Sequence, residues 1–303
     1  ACGKLREENG KMEKASIGRK LFVVFNALFL TAFCFICLYP VWYVIMASFS
    51  DSNQLVGFTG ILWKPLKPTI AAYKAVASNK MVLTGYGNTL FIVVSATFIN
   101  IIMTTIGAYI LSRKNVMLKK ALMFYIILTM YFNGGLIPTY LNIRNLGLYD
   151  SLFSLILPVA INTYNLIIMR SFFESIPDSI IEAATIDGAG HATIMFCVIL
   201  PLAKAMVAVM VLYYGVAHWN SWFSAAMYIQ DRNKYPLQLV LREILIMNDT
   251  TNMMIGGNAY DTSNFAETIK YAVIVVATIP ILCVYPFLQK YFTKGVLVGA
   301  VKG

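Results

Sequence analysis

Six long apolar runs, separated by more polar segments, constrain what this chain can fold into. Each run is close to the roughly 20 residues that an α-helix needs to cross a bilayer. A bilayer offers the backbone no hydrogen-bonding partners, so each crossing segment must pair its own N–H and C=O groups, as a helix does. The sequence therefore predicts an all-α membrane protein with six transmembrane helices. The runs lie near residues 21–47, 88–111, 119–140, 151–169, 201–225 and 269–288.

The charge content agrees with a membrane protein. Only 13% of the residues are charged, whereas soluble domains carry about 25%. The net charge of +10 comes from bases that flank the apolar runs. Because they form no basic stripe with interleaved aromatics, no nucleic-acid partner is expected. With six crossings, Lys and Arg are more frequent on the side of the N-terminus, so the positive-inside rule predicts cytoplasmic termini, with lipid around the helices.

This topology divides the chain into three parts. A cytoplasmic segment precedes one transmembrane domain, and a short cytoplasmic tail follows it. Met12 is a candidate natural start. The expected parts are residues 1–20, 21–292 and 293–303, with a core near 88–292, a cytoplasmic loop at 172–200 and an external loop at 226–268.

Local sequence patterns predict one short helix and one break in a membrane-spanning run. Residues 70–76 predict a short interfacial helix before the second run. Gly134, Gly135 and Pro138 interrupt the third run, and a break at membrane depth is tolerated only where it is buried in protein or lines a cavity. The segment from Asn133 to Pro138 is therefore either a pore-lining break or an ordinary loop at the helix end.

The cytoplasmic loop between the fourth and fifth runs carries four acids and no Lys or Arg. Pro177 suits the first turn of a helix, and Asp178 then lies near the positive end of its dipole. Asp187-Gly188 is a turn signal. The loop is expected to form a short helix-turn-helix at the membrane face and to be presented to a partner.

Three pieces of this loop resemble the EAA loop of bacterial ABC importer permeases: Glu182-Ala183-Ala184, Asp187-Gly188-Ala189 and Leu200-Pro201. The wider chain looks like the smaller subunit of the maltose/oligosaccharide-type sugar permeases. Supporting stretches are Gly134–Pro138, Leu146–Tyr149 and the ending Tyr291–Gly295 with Gly299 and Val301–Gly303. The resemblance implies the type I ABC importer permease fold and a place in the bacterial cell (inner) membrane.

The resemblance also implies partners. They are a second permease subunit, an ABC ATPase dimer, an extracellular solute-binding protein and a carbohydrate substrate. The sequence contains no phosphate-binding loop and no metal-site pattern. No cofactor is therefore expected in this chain, and ATP and Mg²⁺ belong to the partner ATPase. By resemblance Glu182 anchors the ATPase contact, Ala183 and Ala184 allow close approach and Gly188 makes the turn. Asp187 and Ala189 complete the ATPase-coupling set.

Two further groups of residues are candidates. Amides and aromatic rings suit sugar binding, although the same residues serve as interhelical hydrogen bonds or interface anchors. Trp219 and Trp222 are expected in the interfacial aromatic belt. The substrate-path candidates are Asn133, Asn162, Tyr164, Asn165, Tyr213, Tyr214, His218 and Asn220. The candidates for contact with the binding protein, in a Gly- and Asn-rich external loop, are Asn252, Gly256, Gly257, Asn258 and Tyr260.

Two other functions stay open at this point. One is an ABC importer permease for a non-sugar solute such as a peptide or an amino acid. The other is a membrane-embedded enzyme, which needs carboxylates or a metal site at the membrane face. The Ala-Ala-x-x-Asp-Gly pattern beside the acids does not fit a catalytic pair, so the sequence favours a transporter subunit that is not itself an enzyme.

Overall fold

The described parts of the chain are helical and contain no strand. The computed structural model describes residues 17–246 and 259–300. Three short 3₁₀ turns lie at Leu152–Leu155, Leu157–Val159 and Arg232–Lys234. The helices are α1 (Ile17–Ser48), α2 (Ser52–Val56), α3 (Ala71–Ser78), α4 (Lys80–Ser112), α5 (Lys119–Tyr131), α6 (Leu136–Asn145), α7 (Thr163–Glu174), α8 (Asp178–Ile186), α9 (His191–Leu202), α10 (Lys204–Trp219), α11 (Phe223–Tyr228), α12 (Leu237–Ile246) and α13 (Ala259–Ala300).

Several of these helices are long and apolar enough to cross a membrane. Three qualify alone, within α1, α4 and α13, and up to six spans result if each of three bent pairs is one span. The bent pairs are α5 with α6 at 111°, the 3₁₀ turns at Leu152–Val159 with α7 at 45°, and α9 with α10 at 84°. The all-helical membrane fold is confirmed, while the count of six and the orientation of the termini stay predictions.

The break expected in the third span is present. α5 ends at Tyr131 and α6 begins at Leu136, with the Asn133 side chain accepting a hydrogen bond from the Gly135 N–H at 2.9 Å. Gly135 has φ +91°, a conformation that favours glycine. Pro138 lies in the first turn of α6, where its missing N–H costs nothing.

α4 is the central helix of the fold and packs on α7, α10 and α12. It begins at Lys80 instead of near residue 88, because the Asn79 side chain caps the Met81 and Val82 N–H groups. A Cβ on Gly85 would come within 3.2 Å of the Leu237 backbone, so the close contact with α12 favours glycine.

Burial revises some expectations about the protein surface. The stretch 226–268 is not polar throughout, because α12 in it buries Leu237, Val240 and Ile244 against the core; its external placement stays a prediction. α3 packs Val76, which is 2% exposed, in the same cluster, and its place at the membrane interface also stays a prediction. Trp219, expected in the interfacial aromatic belt, is instead buried in this cluster and stacks edge-on to Tyr86. In each case hydropathy did not reveal the protein surface that covers these apolar residues.

Candidate functional site

α8 is a helix with one side on the protein and one side free. No residue of α8 is fully buried. Ile181 and Ala184 pack partly against a core cluster formed by α4, α7, α9 and α10. The opposite face presents Glu182 and Ala183, and the Ile186 side chain is 86% exposed. An isoleucine this exposed beside a carboxylate makes a small apolar surface with a polar neighbour.

The end of α8 is fixed by its backbone. The Ala189 N–H donates to the Ala184 carbonyl at 2.9 Å, and the Gly188 N–H donates to the Thr185 carbonyl at 3.0 Å. These two bonds form a Schellman motif, which needs a left-handed residue after the helix. Gly188 supplies it with φ +82°. The turn predicted at Asp187-Gly188 is therefore present, and it directs the chain back into α9.

Ionic contacts join the base of α8 to the start of the α4–α5 connection. Lys114 Nζ lies 2.5 Å from Asp178 Oδ2. The hydrogen bond from Lys114 lowers the pKa of the Asp178 carboxyl below its usual value. On the other side of the turn, the Tyr109 hydroxyl lies 3.2 Å from His191 Nδ1. The Arg113 guanidinium lies over the Tyr109 ring at 5.1 Å.

The substrate-path candidates divide into exposed and buried groups. Asn133, Asn162, Tyr164, Tyr213 and Asn220 are exposed, with Tyr164 at 58% and Tyr213 at 41%. These five are the path candidates that the structure leaves on the surface.

The buried candidates form hydrogen bonds between helices. Tyr214 on α10 shares a hydrogen bond of 2.7 Å with Thr104 on α4, and its oxygen accepts the Asn162 N–H at 3.3 Å. The Asn162 side chain caps α7 by accepting the Asn165 N–H at 3.1 Å. These bonds hold α10, α4 and the start of α7 together.

Asn100 is a structural residue that the sequence reading missed. It donates from Nδ2 to the Val159 carbonyl at 2.6 Å, and its Oδ1 lies 2.7 Å from His218 Nε2. Since Oδ1 only accepts, His218 carries its proton on Nε2. The Asn100 Nδ2 bond satisfies the Val159 carbonyl, which lies at the break between the 3₁₀ turns and α7. An amide within an apolar run was the available signal, because such groups need a partner in a membrane.

The candidate loop for the binding protein lies mostly outside the described residues. Asn252, Gly256, Gly257 and Asn258 are not described. Tyr260 falls in the first turn of α13, and its side chain is not described.

The all-helical membrane domain and the exposed α8 agree with the class of protein that comparison with known families shows. The chain belongs to the family of binding-protein-dependent transport system inner membrane components, whose model matches residues 12–298. It is the multi-pass permease subunit of a bacterial ABC importer, and it is not an enzyme.

The chain is similar over nearly its whole length to proteins of the same kind. It is 40% identical to the polygalacturonan/rhamnogalacturonan transport system permease protein YtcP of Bacillus subtilis (strain 168), covering 94% of this chain and 99% of YtcP. It is 41% identical to protein LplC of that strain, covering 96% and 98%. A crystal structure of a bacterial ABC transporter for import of the acidic polysaccharide alginate matches with TM-score 0.84 and 34% identity, covering 91% of this chain and 98% of that one. The family predicted from the EAA loop is confirmed.

Proposed function

We propose that this chain is the permease subunit of an ATP-driven carbohydrate importer, and that α8 is the coupling helix that docks on the ATPase. The exposed face of Glu182, Ala183 and Ile186 carries this proposal. It combines a carboxylate, a small residue and an apolar side chain on one side of a short helix. Such a face suits insertion into a cleft of a partner, since buried apolar anchors supply most of the energy of an interface.

The residues around that face have separate roles. Glu182 is the polar anchor, and Ala183 and Ala184 let the partner approach the helix backbone. Asp187, Gly188 and Ala189 hold the turn that fixes the direction of α8. ATP and Mg²⁺ bind to the ATPase dimer, and ATP-driven closure of that dimer moves α8 together with the helices joined to it.

The cargo is a carbohydrate, moved along a path that includes Asn133, Asn162, Tyr164, Tyr213 and Asn220. Amide groups hydrogen-bond to sugar hydroxyls, and aromatic faces stack on sugar rings. Support comes from the similarity to YtcP, named for polygalacturonan and rhamnogalacturonan transport, and to the alginate importer. Tyr214, His218 and Asn165 assist by fixing the helices that carry the exposed groups.

The remaining parts of the assembly follow from the same proposal. A second permease completes the path, and an extracellular binding protein delivers the sugar. The residues that contact this binding protein are Asn252, Gly256, Gly257, Asn258 and Tyr260. Residues 1–20 and 293–303 are cytoplasmic, and the six spans lie between them.

The test replaces the anchor and measures ATPase retention. Glu182→Lys should reduce co-purified ATPase by about tenfold, the equivalent of one lost charge-assisted contact of about 1.4 kcal/mol. The control is Glu267→Lys, which reverses a half-exposed carboxylate in α13. A Glu182→Lys complex that keeps its ATPase would refute docking through this face.

A second test concerns the cargo. In the complex of the unaltered chain, binding protein loaded with oligogalacturonide should stimulate ATP hydrolysis. Stimulation by a peptide instead would refute the carbohydrate cargo.

A further inference from the structure

Glu174, the last residue of α7, joins three helix ends at the base of α8. Its Oε1 accepts hydrogen bonds from Lys119 Nζ at 2.8 Å and from Arg170 Nη2 at 2.7 Å. Lys119 is the first residue of α5. Arg170 in turn donates from Nε to the carbonyl of Leu111, near the end of α4, at 3.3 Å. One carboxylate therefore links the ends of α4 and α7 to the start of α5.

The stability of the individual helices does not explain this arrangement. A negative charge at the C-terminal end of a helix and a positive charge at the N-terminal end both oppose the helix dipole. Glu174 and Lys119 occupy these unfavourable ends of α7 and α5. Each charge suits the other helix. The Glu174 carboxylate lies at the positive N-terminal end of α5, and the Lys119 ammonium lies at the negative C-terminal end of α7. The pair stabilises the junction between helices instead of either helix.

The junction is also better ordered than an ordinary surface ion pair. About a third of the Glu174 side chain is exposed, against 23% of Lys119 and 20% of Arg170. The carboxylate has two cationic partners, and Arg170 also has a backbone partner, so its orientation is fixed by contacts on two sides. By contrast, the nearby pair of Lys114 and Asp178 is mostly solvent-exposed and is expected to contribute less.

The chain itself connects α8 only to α7 and α9. Movement of α8 therefore reaches α4 and α5 through noncovalent contacts. We propose that Glu174 is a positioning residue that transmits the movement of the coupling helix to α4 and α5, through Lys119 and Arg170. This inference rests on the proposed docking of α8 on the ATPase. It adds a route to the helices that α8 does not join covalently.

The test measures movement of the α4–α5 corner in the complete complex. Spin labels are placed at Met117, 83% exposed at this corner, and at Ile61, 60% exposed in the segment between α2 and α3, in a background in which the native cysteines are serine. The full complex is compared with and without a non-hydrolysable ATP analogue. In the otherwise unaltered chain the nucleotide should shift the distance between the labels.

Glu174→Gln should retain the ATPase but reduce the shifted population by about fivefold, at the lower end of the ~5–150-fold range of coupling between sites. Lys119→Met should have the same effect, while Lys119→Arg should retain the shift. Glu267→Gln is the matched control, since Glu267 pairs with Lys270 inside one helix. Its removal should leave the shift unchanged.

The remaining outcomes count against the inference. An unaltered shift in Glu174→Gln, or no nucleotide-dependent shift in the reference complex, would overturn transmission through this junction. Loss of the ATPase from Glu174→Gln would mean that Glu174 supports docking or folding instead. Absence of ATPase from the complex of the unaltered chain would overturn the proposed function itself, and the transmission route with it.

Discussion

Near each half of α4 a carboxylate joins neighbouring segments of the chain, but the two junctions are built differently. Beside its first half, Asp150 accepts the N–H groups of Gln230 and Asp231 at 2.9 and 3.0 Å and the Lys234 ammonium at 2.8 Å. Beside its last turn, Asp178 of α8 pairs with Lys114, whose side chain is 79% exposed. The Asp150 junction uses backbone donors that cannot rotate, while the α8 junction uses long side chains.

This difference indicates which part of the subunit is rigid and which part can move. Backbone N–H groups fix a carboxylate in one position, and Lys234 also donates to the Asp150 carbonyl. Exposed ion pairs between long side chains contribute only about 0–1 kcal/mol and allow several geometries. The Asp150 junction therefore keeps its shape without a partner. The α8 junction has an exposed face, which the ATPase completes under the proposed docking, and its ionic contacts allow it to move.

The largest expected effect comes from changing the turn after α8. Gly188→Val places a β-branched residue at φ +82°, where an ordinary L-residue loses roughly 1–2 kcal/mol. We expect about a tenfold loss of co-purified ATPase, because α8 no longer meets α9 at the same angle. Gly190→Val is the control, since Gly190 has φ −73° and open space around its Cβ position. Equal ATPase retention by the two variants would exclude a role for the left-handed turn.

A smaller effect is expected at the other end of α4. Asp150→Asn removes the charge that pairs with Lys234 and weakens two backbone hydrogen bonds. The free energy of unfolding should fall by about 1–2 kcal/mol, seen as a lower thermal midpoint in detergent. ATPase retention should not change, because α8 is untouched. If ATPase binding fell instead while the thermal midpoint held, the contrast between the two junctions would be wrong.

The sequence predicted α8 and its turn because their signals are local. Pro177, Asp187 and Gly188 act within a few residues of themselves, and the spacing to Leu200-Pro201 matched a known family. The apolar runs likewise gave the long helices of α1 and α13 and the break before α6. These features depend on backbone preferences and hydropathy, which a single sequence displays.

The junctions were not predictable, because they depend on residues far apart in the chain. Nothing in the sequence pairs Asp150 with Lys234, or Glu174 with Lys119. Asn100 and His218 are also far apart in the chain, so the sequence did not show that His218 bonds to another helix. α12 was missed because its apolar side resembles a short surface helix until α4 and α13 cover it.

The smallest expected effect is a pH dependence that separates the two junctions. The Asp231 N–H, the Lys234 ammonium and the Gln230 N–H lower the pKa of Asp150 to about 2, from about 3.9 for an unfolded Asp. Its stabilisation is therefore complete above about pH 3.9 and is lost as the pH falls through about 2. Between these pH values the thermal midpoint should fall less in Asp150→Asn than in the unaltered protein. Asp178→Asn should leave the dependence of the thermal midpoint on pH nearly unchanged, since solvent screens the Lys114–Asp178 pair. A larger change in Asp178→Asn than in Asp150→Asn would contradict the view that the α8 junction is the weaker one.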